Sequence, residues 1–106
     1  MMNEFIEDLE QLRDTYKSGE MMSLKESVSG QVAVESVLEK ANELNRNQFL
    51  SEKGKISRVW LHLQQLNADP ENLGYQIYDD IDGVIEKYIP HKSLAKRRNQ
   101  TNKKTN

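Results

Sequence analysis

The sequence predicts an all-α fold: a small antiparallel four-helix bundle over residues 1–90, followed by a disordered basic C-terminal tail over residues 91–106. Three observations support this prediction. Four stretches carry apolar residues at the 3.6-residue spacing that forms one stripe along a helix. The segments between these stretches are short, and short connections favour antiparallel neighbours. A chain of 106 residues, of which 36% are hydrophobic, suits a single domain with one modest core.

The first predicted helix covers residues 3–17. Its apolar stripe consists of Phe5, Ile6, Leu9, Leu12 and Tyr16. Acidic residues crowd its start and Lys17 lies at its end, which is the arrangement that the helix dipole favours. Ser18-Gly19 supplies the stop.

The second predicted helix opens with the capping-box pattern Ser23-Leu24-Lys25-Glu26. Its later part has a clean stripe: Val34, Val37, Leu38, Ala41 and Leu44. Its earlier part is ambiguous, because the apolar residues of segment 28–34 alternate with the period of a strand, and Gly30 costs a helix about 1 kcal/mol relative to Ala. No other stretch offers a partner strand, so a helix with a kink or break near Gly30 is favoured over a strand or a loop.

The third predicted helix covers residues 55–67. Its stripe consists of Ile56, Val59, Trp60, Leu63 and Leu66. Residues 52–55 are expected to form the preceding turn, although the helix could begin as early as Ser51.

The fourth predicted helix begins at Asp69-Pro70-Glu71, since Asp can cap a helix and Pro suits its first position. Helical spacing then continues through Leu73, Ile77, Tyr78, Ile81, Val84, Ile85 and Tyr88. Pro90 ends this helix, because Pro lacks an N–H donor and disfavours a helical residue before it.

Charge divides the chain into two parts. Residues 1–90 carry all 17 acidic residues against nine basic ones, a net charge of −8. The tail carries no acid and six basic residues: Lys92, Lys96, Arg97, Arg98, Lys103 and Lys104. Its only apolar residues are Leu94 and Ala95, too few to offset the entropy of ordering a backbone, so disorder is predicted beyond about residue 95. The tail could serve solubility alone, or it could bind nucleic acid or an anionic membrane.

Catalytic, cofactor and metal sites are not predicted. The chain has no cysteine, and neither His62 nor His91 has a second ligand at zinc spacing. No nucleophile elbow or Gly-rich phosphate loop is present. Residues 79–83 resemble part of a calcium loop, but Tyr78 and Ile89 would then occupy the first and twelfth ligand positions. A non-enzymatic protein without a cofactor is therefore expected.

The sequence favours a cytoplasmic location. No apolar run approaches the length of about 18 residues that a membrane span needs. The first eight residues are acidic, where a signal peptide would be basic and then apolar.

Two apolar side chains in the bundle are candidate partner contacts. Leu61 and Tyr75 lie off the stripes of their helices and should be exposed. If both belonged to one apolar patch, that patch would be a partner or dimer surface. The six basic residues of the tail are further candidates, able to modulate binding.

In length, charge content, four-helix layout and basic C-terminal extension, the chain resembles the bacteriocin immunity proteins of Gram-positive bacteria. This resemblance is one of architecture, without a shared motif. The favoured hypothesis is a non-catalytic protein-binding module (a small inhibitor, immunity or regulatory protein) that acts through a helix face. The alternative is a nucleic-acid-associated or membrane-associated protein tethered through its tail.

Overall fold

The structure, a computed structural model, describes residues 1–68 and 73–90. These residues form four helices and no strand: α1 (Met2–Ser18), α2 (Leu24–Asn45), α3 (Glu52–Ala68) and α4 (Tyr75–Tyr88). The predicted all-α fold with four helices is confirmed. The basic tail, including its predicted disorder, lies outside the described residues.

Hydrogen bonds at the ends of α2 join it to α1 and α3, and the contact of Ser36, midway along α2, with His62 shows that α3 runs back along α2. The Ser27 hydroxyl, near the start of α2, donates to the carbonyl of Tyr16 at the end of α1, at 2.6 Å. The Lys55 ammonium, near the start of α3, donates to the carbonyl of Asn45 at the end of α2, at 3.2 Å.

The fourth helix closes the bundle in the same way. The Gln64 amide in the last turns of α3 donates to the Tyr78 hydroxyl in the first turn of α4, at 2.7 Å. At the opposite end of α4, Lys87 donates to a carboxylate oxygen of Asp8 near the start of α1, at 2.8 Å. Each helix therefore packs antiparallel to its neighbours, in an up-down-up-down order.

The core lies between the four helices, and every predicted stripe contributes to it. The buried apolar residues are Met2, Phe5, Leu9, Tyr16, Ala33, Val34, Val37, Leu38, Ala41, Leu44, Ile56, Val59, Leu63, Ile77, Ile81, Ile85 and Ile89. Burial of one such aliphatic side chain contributes about 1.5–3 kcal/mol. The rings of Phe5 and Tyr88 pack edge to face, with centroids 5.5 Å apart, and join the two ends of the chain's helical part.

The predicted boundary between α1 and α2 is confirmed. Gly19 adopts a left-handed conformation (φ 69°) after the last turn of α1, and its N–H donates to the carbonyl of Tyr16. The Ser23 hydroxyl accepts a hydrogen bond from the Glu26 N–H at 3.1 Å, as the capping pattern predicts.

The break predicted near Gly30 does not occur, because α2 runs continuously through residues 28–34. Gly30 faces the ring of Tyr16, and a Cβ at this position would lie only 2.5 Å from Tyr16 Cγ. The missing side chain therefore lets α1 and α2 pack closely, and this packing offsets the low helix propensity of glycine.

The third helix begins earlier than its stripe indicates. Residues 52–55 form its first turn, so the turn predicted there is wrong and the earlier start near Ser51 is closer. The Ser51 hydroxyl accepts from the Gly54 N–H at 3.0 Å, and the Ser51 carbonyl accepts from the Lys55 N–H at 2.9 Å.

The fourth helix begins at Tyr75. Its predicted start at residues 69–71 lies outside the described residues, and Leu73 and Gly74 precede the helix. Its predicted end is confirmed: Ile89 is extended (φ −131°, ψ 106°) immediately before Pro90.

Candidate functional site

The N-terminal half of α2 has two apolar faces. Gly30 and Val34 are buried against the rest of the bundle. Val28 and Val32 are 51% and 66% exposed, one turn apart on the outer side. Residues four apart in a helix lie on the same side, so an alternating apolar pattern in a helix places apolar groups on both sides. The strand-like alternation of residues 28–34 is the signal in the sequence for this surface, although by itself it indicates only an ambiguous secondary structure.

An open groove of about 760 Å³ lies beside this half of α2. We call it the apolar groove. Its apolar lining combines three residues of α2 with three from the end of α3, the segment before α4 and the start of α4: Val28, Val32, Ala33, Leu66, Leu73 and Ile77. Ala33 and Ile77 also belong to the buried core, so the groove opens directly onto it.

Small side chains on α2 keep this groove open. Ser29, Ala33 and Ser36 line it at spacings of four and three residues, which place them on one side of the helix. Its only titratable lining residues in the described chain are Lys25 and Glu26.

A second groove, of about 630 Å³, lies between α1 and α2, and we call it the acidic groove. Its charged lining residues are Glu10, Arg13, Glu35 and Glu39. The guanidinium of Arg13 is engaged by a neighbour in α1, where its Nε donates to an Asp14 carboxylate oxygen at 3.3 Å. The carboxylates therefore dominate the charge of this groove.

The two grooves meet at Val32 and Ser36, which line both of them. Glu35 and Glu39 are exposed, and neither forms an ion pair with a described residue. One turn further on, Glu43 lies 3.7 Å from the ammonium of Lys40. The outer side of α2 thus changes from apolar in its N-terminal half to acidic in its C-terminal half.

Ser36 contacts a histidine of α3, with its Oγ 3.0 Å from His62 Nε2. Burial lowers the pKa of His62, and the nearby charge of Lys40 lowers it further. A serine beside a neutral imidazole is a possible nucleophile, but acyl transfer also needs N–H donors for an oxyanion. Ser36 lies inside α2, where backbone N–H groups bond within the helix. The arrangement favours a structural link between α2 and α3.

Two further polar links join α1 to α4. The Tyr88 hydroxyl donates to an Asp8 carboxylate oxygen at 2.5 Å, and hydrogen bonds from Lys87 and Tyr88 lower the pKa of Asp8. Burial, together with this hydrogen bond, raises the pKa of Tyr88 to about 12. The buried Tyr16 donates to Asp80 at 2.5 Å, and burial followed by this bond raises the pKa of Tyr16. Asp80, within the calcium-like run, therefore has a structural role.

The calcium-like run itself lies within α4 and forms no loop. Among residues 1–68 and 73–90, no group of three or more His, Asp or Glu side chains is arranged to hold a metal ion. Within the same ranges, no helix combines the length and the apolar character needed to cross a membrane.

The two bundle residues predicted as partner contacts are both exposed, Leu61 at 50% and Tyr75 at 86%. Neither of them lines the apolar groove or the acidic groove. Their role as partner contacts stays a prediction. The six basic candidates of the tail (Lys92, Lys96, Arg97, Arg98, Lys103 and Lys104) lie outside the described residues.

The chain matches no protein-family model, no curated protein and no solved structure.

Proposed function

We propose that this protein is a non-catalytic binding module that holds a partner protein in the apolar groove beside α2. One observation carries the proposal: apolar side chains from α2, α3 and α4 converge on a single open groove, with Val28 and Val32 exposed at its edge. Each Å² of apolar surface that a partner covers there contributes about 25 cal/mol. A cleft of several hundred Å³ lined mainly by apolar side chains is typical of binding sites.

The lining of the groove supports binding over chemistry. Among its described residues only Lys25 and Glu26 titrate, and the rest are aliphatic side chains, serines and a glycine. Proton transfer and nucleophilic catalysis need acids, bases and an activated nucleophile at one point. Such a module would act as a small inhibitor, immunity or regulatory protein, and the basic residues of the tail would modulate the affinity for the partner.

The shape of the groove suits a helix. It runs beside α2, and the small residues Ser29, Ala33 and Ser36 allow a partner backbone to approach closely. An amphipathic helix that lays its apolar face into a hydrophobic groove is a common mode of peptide recognition.

A capture experiment with three full-length baits tests the proposal: the unmodified chain, the double variant V28S/V32S and the single variant L61S. L61S tests the competing candidate contact, because Leu61 is also half-exposed and apolar but lies outside both grooves. We expect the unmodified chain and L61S to capture the same proteins from the source cells. V28S/V32S should capture at least about tenfold less of them, because truncation of hot-spot residues costs more than 1 kcal/mol each.

The thermal unfolding midpoint of each bait separates binding from folding. All three substitutions replace exposed residues, so each variant should stay within about 0.5 kcal/mol per site of the unmodified stability. Capture that persists with V28S/V32S but is lost with L61S would move the site to the surface of α3 and refute the groove.

A further inference from the structure

The charge beside the apolar groove identifies the chemistry of the partner, if the proposed function holds. We infer that the partner presents an amphipathic helix with an apolar face for the apolar groove and with Lys or Arg side chains for the acidic groove. The interaction surface is the outer side of α2, which borders both grooves.

The apolar groove and the acidic groove are continuous along α2. Val32 and Ser36 line both, so a helix seated on Val28 and Val32 lies within reach of the acidic groove. Along α2, the exposed Val28 and Val32 are followed at one-turn intervals by the exposed carboxylates of Glu35 and Glu39. A ligand helix that lies along α2 therefore meets apolar groups at one end and negative charge at the other.

The charge of the acidic groove favours a basic ligand. The acidic groove holds three carboxylates against the guanidinium of Arg13, which already contacts Asp14. A basic ligand gains from this field, whereas an acidic ligand is repelled, because charges arranged across an interface select partners of the opposite sign. The net charge of −8 over residues 1–90 acts in the same direction at longer range.

Two other occupants fit less well. The chain's own tail is basic, but Leu94 and Ala95 are its only apolar residues, so it matches the acidic groove without filling the apolar one. A second copy in a two-fold dimer would bring the same surface against itself. That arrangement would place the carboxylates of two acidic grooves near each other.

Two synthetic amphipathic helices are the probes, with the same leucine face and with either lysine or glutamate on the polar face. Their affinity for the full chain is measured by fluorescence anisotropy at low and at physiological salt. We expect the Leu/Lys peptide to bind at least about tenfold more tightly than the Leu/Glu peptide. The difference should narrow as salt is added, because exposed charges are screened.

Two pairs of charge-neutralising variants locate the effect. E35Q/E39Q should weaken binding of the Leu/Lys peptide about fivefold, as expected for two exposed charge contacts. E7Q/E20Q removes the same charge from exposed positions outside both grooves and should leave the affinity unchanged. V28S/V32S should abolish binding of either peptide.

The outcomes separate this inference from the proposed function. Equal binding of both peptides, with no effect of E35Q/E39Q but loss in V28S/V32S, would overturn the basic partner and leave the groove in place. Binding of the Leu/Lys peptide that survives V28S/V32S would overturn both. Failure of both peptides to bind would overturn the basic partner, and the capture experiment would still decide the groove.

The remaining outcomes would assign the groove to another occupant. Binding of the Leu/Lys peptide that appears only in the tail variant K96Q/R97Q/R98Q would assign the surface to the chain's own tail. A dimer in sedimentation that V28S/V32S dissociates would assign it to a second copy. Either result would overturn the inference.

Discussion

His62 couples the folding of this bundle to pH. Its ring lies against Ser36, and burial is the main cause that lowers its pKa below the ordinary value of 6.5. The charges that face it come from α2: Lys40 lowers its pKa further, whereas Glu39 and Glu43 act in the opposite direction. The folded state therefore disfavours the imidazolium, which the unfolded chain forms freely.

The variant His62→Gln tests this coupling. Below pH 6.5, His62 is protonated in the unfolded chain but stays neutral in the folded chain until its lowered pKa is reached. The folded state therefore has its full stability above pH 6.5 and loses part of it as the pH falls through the lowered pKa. We expect the free energy of unfolding to fall from about pH 7.5 to about pH 5.5 in the unmodified chain, and to fall less in H62Q. Urea denaturation at the two pH values measures both.

Comparing two chains that differ only at residue 62 keeps other groups out of the result, including the Met1 amino group, whose hydrogen bond with Glu4 raises its pKa from 8.0. Asp8 and Glu4 also have lowered pKa values, but their ordinary values are 3.8 and 4.5, so they stay ionised above about pH 5.5. His91 is present in both chains, and its contribution cancels. Equal pH dependence of the two chains would contradict a role for the imidazole.

The close approach of α1 to α2 depends on one glycine. Gly30→Ala adds a methyl group where the ring of Tyr16 already lies. Overpacking costs about 1–3 kcal/mol, and the gain in helix propensity returns about 1 kcal/mol. We expect a net destabilisation of up to about 2 kcal/mol, measured as a lower urea midpoint.

Gly83→Ala is the matched control, because Gly83 lies inside α4, is exposed and has open space where a Cβ would stand. The same substitution should there stabilise the chain by about 0.5–1 kcal/mol. If both variants were stabilised, the packing of Tyr16 on Gly30 would not limit the approach of the two helices.

The sequence was sufficient to predict which stretches are helical and which faces are buried, because 3.6-residue periodicity is a local signal. It was insufficient for the start of α3. Lys55 lies on the buried side of that helix, with its ammonium on the carbonyl of Asn45, so a charged residue occupies a position that an apolar stripe does not reveal. Segment 28–34 has the alternation of a strand for a different reason, because it is apolar on two sides of its helix.

The grooves could not be predicted from helical periodicity. Their shape depends on how far α2 stands from α3 and α4, which is a property of tertiary packing and not of one helix. Off-stripe positions do identify exposed side chains, as the exposure of Leu61 and Tyr75 shows. Only the assembled bundle shows whether several side chains converge on one surface, as the exposed Val28 and Val32 and the partly buried Leu66 and Leu73 do.

For the molecule as a whole, the opposition between an acidic bundle and a basic tail makes a prediction about nucleic acid. The bundle repels phosphate, so any attraction must come from the six basic residues of the tail. We expect weak binding of a short DNA duplex by the full chain at low salt, and a steep fall in affinity as salt rises.

Two triple variants assign that binding to one part of the chain. K96Q/R97Q/R98Q removes three charges from the tail, and K17Q/K53Q/R58Q removes three exposed charges from the bundle. Each phosphate that a basic side chain neutralises adds about 0.9 to the steepness of log affinity against log salt, so the tail variant should reduce this steepness by up to about 3. The bundle variant should leave the slope unchanged in fluorescence anisotropy. The opposite result would reveal a basic surface on the bundle itself, and it would favour a nucleic-acid-associated protein over a module whose outer α2 surface selects basic helices.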